Sequence, residues 1–189
     1  MNVITLTGEG DEATAAESAA TPTRLRCIEV VRSVGEGSTT LAAFDDALLK
    51  AGVGNFNLIR LSSVIPPETT VSVGDGPADV MGDWGDRLYV VMAEQRVDRP
   101  GREAWAGIGW AQHEESGRGL FVEHEGNSER QLRDDLERSL SSLIEARPQV
   151  RFGPIHTSVQ GARCEGSPVC ALVVAVYEAA GWTVDMRGT

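Results

Sequence analysis

The sequence predicts a single mixed α+β sandwich domain, an expectation that rests on three observations. About seven short apolar runs have strand character, against only two segments of helical periodicity. The helices do not follow the strands one for one, which argues against an alternating βαβ sheet. A chain of 189 residues can bury one substantial core, whereas two complete domains would be a stretch.

In chain order, residues 1–24 mix Thr, Ala, Glu and Ser in a stretch too polar to offset its ordering entropy. They are expected to form a disordered acidic leader, with the domain spanning 25–178. A strand is predicted from Cys27 to Val34, carried by Ile28, Val30 and Val31. The turn Gly35-Glu36-Gly37-Ser38-Thr39-Thr40 then opens a helix from Thr40 to Ala51. Leu41, Phe44, Leu48 and Leu49 fall at helical spacing, a Ser or Thr caps the start, and Gly52 ends it. The next strand covers Asn55 to Leu61, and Ser62-Ser63 stand at its exit ahead of the Pro66-Pro67 brake.

Val64 to Val80 is rich in Pro, Gly and Asp and is expected to be a loop, with a short strand near Thr70. Three strands follow, Arg87–Glu94, Ala104–His113 and Gly119–Glu125; glycines in the second suggest close packing. Asn127 or Ser128 then caps an amphipathic helix running to Ala146, with Leu132, Leu136, Leu140, Leu143 and Ile144 on one face. Strands at Ile155–Val159 and Val169–Tyr177 close the domain, the latter apolar enough to be buried on both faces. Residues 179–189 are a tail.

Composition narrows the partners. A net charge of −11 argues against nucleic acid, which requires clustered Lys and Arg, and leans towards a cationic small molecule. No run is long enough to span a bilayer and no basic start precedes an apolar segment, so a soluble cytoplasmic protein without membrane partners is expected. Cys27, Cys164 and Cys170 lack zinc-site spacing, and His113, His124 and His156 are scattered, so no metal is expected.

Four features carry candidate chemistry. The Gly35–Thr40 turn stands between strand and helix, the position of a phosphate-cradling loop, but without a third glycine or a Walker lysine it reads first as a tight turn with an N-cap. Asp45-Asp46 lie on the first helix, with Asp45 placed to reach the Ser63 end of the following strand. Glu123 interrupts an apolar strand, and alternation sets it on the face opposite Val122 and His124. A carboxylate so placed, if it faces a site, can act as a general acid. The stretch Gly52–Pro67 unites two glycines, two amides, the serine pair and the proline brake.

The block LAAFDDALLKAGVGNFNLIRLSSVIPP, Leu41 to Pro67, resembles the proenzymes of pyruvoyl-dependent arginine decarboxylases, and GLFVEHEG and the last apolar strand resemble later parts of that family. The resemblance implies a four-layer αββα sandwich, a homotrimer of cleaved protomers and sites between neighbours. It also implies that the chain cuts itself between Ser62 and Ser63, giving a β-chain 1–62 and an α-chain 63–189, with Ser63 becoming a covalent pyruvoyl group. Glu123 would be the proton donor, Asn57 would hold the cofactor, and Asp45 would pair with the guanidinium of arginine. Leu48, Gly54, Phe56 and Phe121 would line the pocket, the two rings narrowing it. The implied reaction is decarboxylation of L-arginine to agmatine and carbon dioxide for polyamine biosynthesis. Two alternatives stand beside it: a pyruvoyl decarboxylase of another amino acid, and a non-catalytic anion or nucleotide-binding module built on Gly35–Thr40.

Overall fold

The computed structural model describes residues 26–182, so the expected leader 1–24 lies outside the described residues. Among these, nine strands and two helices follow one another: β1 (Arg26–Glu36), α1 (Thr40–Lys50), β2 (Asn57–Arg60), β3 (Val64–Ile65), β4 (Thr69–Val73), β5 (Arg87–Val97), β6 (Glu103–Gln112), β7 (Gly119–Gly126), α2 (Glu129–Glu145), β8 (His156–Arg163) and β9 (Val169–Ala180). They form a five-stranded sheet in the order β2-β5-β9-β1-β4 and a four-stranded sheet in the order β3-β7-β6-β8. The larger sheet is mixed, because β1 pairs with β4 and β2 with β5 in parallel, while β9 runs antiparallel to both β1 and β5.

Side-chain alternation stacks these sheets face to face and places one helix on each outer face. Along β9, Ala171, Val173 and Ala175 pack between the sheets with Val91, Ile108 and Phe121. Cys170, Leu172, Val174 and Val176 point the other way, onto Ala43 and Ala47 of α1. β9 is thus buried on both faces, as its composition predicts. On the far side, Leu132, Leu136 and Leu140 of α2 cover β6 and β7 together with Leu120 and Val122. They approach closely because Gly107 and Gly109 of β6 leave no side chain in their way. At roughly 1.5–3 kcal/mol for each fully buried leucine, this stripe is what holds α2 to the sheet. The layers run α1, sheet, sheet, α2, which is the αββα sandwich expected.

The helix signals fall where the sequence places them: Thr39 caps α1 and Ser128 caps α2 through their hydroxyls, and Gly52 leaves α1 at φ 78°. The strand count differs. β4 is the short strand expected near Thr70, paired with β1, whereas β3 lies in the stretch expected to be loop because it is defined only by its partner, Val64 and Ile65 pairing with Leu120 and Gly119. β2 starts two residues late because Asn55 and Phe56 remain in the turn, Asn55 accepting from the Gly85 amide and Phe56 donating to the Val53 carbonyl. β9 runs on to Ala180, so the first two residues of the expected tail pair with Leu88 and Arg87.

Candidate active site

β2 ends in the five-stranded sheet and β3 begins in the four-stranded one, so Ser62 and Ser63 make the crossing between layers. Leu61 is the last anchor upstream, its amide donating to the Val90 carbonyl at 2.9 Å. Downstream, the Ser63 carbonyl accepts from the Phe121 amide at 2.8 Å and β3 pairs with β7. Between these anchors Ser63 adopts φ 64°, one of two non-glycine residues among those described in the left-handed region. That conformation costs on the order of 1–3 kcal/mol and persists only where the surroundings enforce it.

The same turn aims the Ser63 hydroxyl at Glu123, donating to Oε1 at 2.9 Å and Oε2 at 2.8 Å. β7 supplies that carboxylate by alternation: Leu120 and Val122 face α2, Phe121 faces the inter-sheet core, and Glu123 follows Phe121 on the same side. A half-buried carboxylate on a half-buried serine hydroxyl, beside a strained peptide, is a proton acceptor in place for a nucleophile. A third group completes the corner. The Tyr177 hydroxyl donates to the Val64 carbonyl at 3.0 Å, and its ring stands edge-on to Phe121 at 6.2 Å. Burial first, and then the negative charge of Glu123, push the Tyr177 phenol up from its ordinary value. A cleft lined by Leu61, Pro66, Tyr89, Tyr177 and Glu178, among others, opens beside it.

The remaining expected site residues lie elsewhere in this chain. Asp45 is exposed on α1, and the five-stranded sheet stands between α1 and the layer that carries Glu123, so Asp45 does not reach over Ser63 as expected. Leu48 and Phe56 pack against the outer core around α1, and Gly54 sits tight against Leu49. Asn57 begins β2, which at about 3.3 Å per residue puts it on the order of 10 Å before that strand's end. Its amide nitrogen donates instead to the Gly85 carbonyl at 2.5 Å, which Trp182 Nε1 also reaches at 2.9 Å. Phe121 is 1% exposed, so within this chain it is a core side chain and no pocket wall. The expected constellation therefore falls into two groups: Ser62, Ser63, Phe121 and Glu123 at the layer crossing, and Asp45, Leu48, Gly54, Phe56 and Asn57 around α1 and the turn after it.

The Gly35–Thr40 turn has other work. Gly35 and Gly37 lie directly under Ala42, Ala43 and Ala47, so the glycines let α1 settle onto β1. Two of the turn's amides are taken, Glu36 donating to Asp46 Oδ2 and Gly37 to the Pro168 carbonyl, and Thr39 Oγ1 accepts from the Ala42 amide of α1. Lys50 and then the Glu36 amide hold the Asp46 carboxyl below its ordinary value. The turn thus serves as a seat and N-cap for α1, with the Asp46 carboxylate set against it. Among the described residues no cluster of three His, Cys, Asp or Glu side chains could hold a metal ion, and no helix is long and apolar enough to cross a membrane. Sequence reasoning passed over Tyr177; its one signal was a polar-tipped ring ending a strand otherwise wholly apolar.

Known proteins resemble this chain over most of its length. A family model described as "Pyruvoyl-dependent arginine decarboxylase (PvlArgDC)" matches residues 27–180. The pyruvoyl-dependent arginine decarboxylase of Halobacterium salinarum is 36% identical over 154 residues, covering 79% of this chain and 92% of that protein. That of Thermococcus sibiricus is 33% identical over 144 residues, covering 75% and 87%. That of Pyrococcus horikoshii is 36% identical over 111 residues, covering 59% and 68%. With a family match over residues 27–180 and relatives 33–36% identical that it covers over most of their length, the chain belongs to the pyruvoyl-dependent arginine decarboxylase family.

Proposed function

We propose that this chain cuts itself between Ser62 and Ser63, and that the matured enzyme decarboxylates L-arginine to agmatine and carbon dioxide for polyamine biosynthesis. The single observation that carries the reading is the Ser63 hydroxyl donating to Glu123 from a left-handed backbone. Family membership implies a covalent pyruvoyl group, and these residues fit its formation from Ser63.

In the first step Glu123 accepts the hydroxyl proton as Ser63 Oγ attacks the carbonyl carbon of Ser62. The Ser62–Ser63 C–N bond breaks, an ester replaces it, and the freed nitrogen takes up the proton. Loss of the Ser63 α-proton then breaks its Cβ–Oγ bond, releasing Ser62 as a carboxylate and leaving dehydroalanine at position 63. Tautomerisation to an imine and hydrolysis by water release ammonia and leave the ketone on Val64. The strained turn favours the first step, since breaking the peptide relieves it. The products are the β-chain 1–62, with the leader, and the α-chain 63–189, with the tail.

The pyruvoyl ketone supplies the electron sink for loss of carbon dioxide. Glu123, already beside residue 63, then carries a proton at its carboxyl to the carbon left behind. Asp45 offers a carboxylate to the planar guanidinium fork and Asn57 an amide to the cofactor. Because both lie away from Ser63 in one chain, each enters a site from a neighbouring protomer, which favours a homotrimer of cleaved protomers with sites between them. Three free thiols suit a reducing cytoplasm.

A denaturing gel of the purified protein, with carbon dioxide release measured over a panel of amino acids, tests the reading. Two fragments and release from arginine are expected. A lasting single band at 20.2 kDa would overturn the self-cleavage, and release from another amino acid in place of arginine would overturn the substrate.

A further inference from the structure

From the hydrogen bond between the Tyr177 hydroxyl and the Val64 carbonyl, we infer that Tyr177 is a positioning residue that fixes residue 63 against Glu123 before and after the cut. The inference rests on the self-cleavage reading but assigns a role to a residue outside the serine and carboxylate pair.

The bonds around the crossing are lopsided. Upstream of the Ser62–Ser63 peptide, Leu61 holds one bond to Val90, and Ser62 is exposed. Downstream, the Ser63 carbonyl is held by the Phe121 amide as part of the pairing of Val64 with Leu120, the Ser63 hydroxyl by Glu123, and the Val64 carbonyl by the Tyr177 hydroxyl. Of the two side chains among these anchors, Glu123 belongs to the same sheet as Val64, whereas Tyr177 is carried by β9, in the opposite sheet. It therefore fixes the distance between the layers at the point where the chain crosses. The ring is braced by Phe121, which is itself packed against Trp110 at 6.3 Å, so the hydroxyl rests on a row of three aromatic rings. Burial and the neighbouring Glu123 charge keep the phenol protonated far into the alkaline range, so it stays a donor. A chain cut at Ser62 has no covalent restraint upstream of residue 63, and the Tyr177 contact then carries a larger share of the positioning.

The test is Tyr177→Phe in the full chain, which deletes one oxygen and keeps the ring on Phe121. Cleavage is followed by denaturing gel after cell-free synthesis, and the matured fraction is assayed kinetically. About tenfold slower cleavage is expected, the size of one lost hydrogen bond, with kcat per processed chain falling about as much while KM holds and the melting temperature drops by no more than a few degrees. A side chain that merely supported the fold would lower the melting temperature and leave kcat alone. If the wild-type chain does not split, the self-cleavage reading fails. If wild type splits and Tyr177→Phe splits and turns over at the same rates, this inference alone fails. Should Tyr177→Phe not fold, Tyr177→His and Tyr177→Leu pose the same question, ring N–H against no donor. The histidine variant is expected to cleave faster, and equal rates overturn the proposal.

Discussion

The Ser63 hydroxyl contacts both carboxylate oxygens of Glu123, at 2.9 and 2.8 Å, across a sequence separation of 60 residues. A serine hydroxyl and the carboxylate able to take its proton are thus brought together only when β3 has paired with β7. An unfolded or half-made chain holds Ser63 away from Glu123, so the proposed cleavage waits for the fold.

Glu123→Gln keeps the shape and one accepting oxygen but cannot take up the proton. Cleavage should slow by roughly 100-fold or more, and any processed fraction should release no carbon dioxide. A time course on a denaturing gel with an assay of the processed fraction checks both; cleavage at the wild-type rate removes Glu123 from the first step.

The backbone strain at Ser63 is measurable apart from the chemistry. Ser63→Ala and Ser63→Gly both lack the nucleophile and should remain uncut. Glycine tolerates φ 64° without a Cβ penalty, so the glycine variant should be the more stable by about 1 kcal/mol. Equal melting midpoints for the two uncut proteins would show that the turn stores no strain.

The proposed sharing of sites between neighbours makes a complementation experiment decisive. Asp45→Ala should raise KM for arginine more than for uncharged amino acids, and Glu123→Gln should abolish turnover. Co-refolded one to one, the two variants should regain about a quarter of wild-type activity, because random assembly reunites one intact pair in four contacts. No recovery would place both residues in one protomer's site.

The thiols should separate by burial. Cys27 is exposed, whereas Cys164 and Cys170 are buried, and burial pushes the Cys170 thiol up to about 12. An alkylating reagent at pH 8 should label Cys27 in the native protein and all three cysteines in denaturant, as read by mass spectrometry. Native labelling of Cys170 would mean that β9 opens.

The helices, the long strands and their faces were legible because each carries its own period: Leu132, Leu136 and Leu140 mark one face of α2 whatever lies beneath it. The pair Val64-Ile65 was not, since two residues have no period and only Leu120 and Gly119 make them a strand. The same limit governs the site. Ser63 and Glu123 stood out as oddities in their own strands, a serine pair before prolines and an acid among hydrophobes. Which group of residues each would meet depends on the layer it occupies. Asp45 lies closer to Ser63 in sequence than Glu123 does, yet it falls on the far side of a sheet. Tyr177 was hidden by its strand, where a ring ending an apolar run looks like more core until its hydroxyl is seen on Val64.

β1 lies between β9 and β4, hydrogen-bonded to both. After the proposed cut, β1 belongs to the shorter fragment, while both its neighbours belong to the longer one. The shorter piece is therefore threaded through the middle of its partner and cannot be shed without tearing the larger sheet open. Maturation then leaves no loose product to recapture, and it runs in one direction only. Two fragments that have been fully separated must find an interleaved arrangement that the intact chain reached with its ends joined. Attempts to rebuild the enzyme from separately made halves should recover far less activity than refolding the uncut precursor.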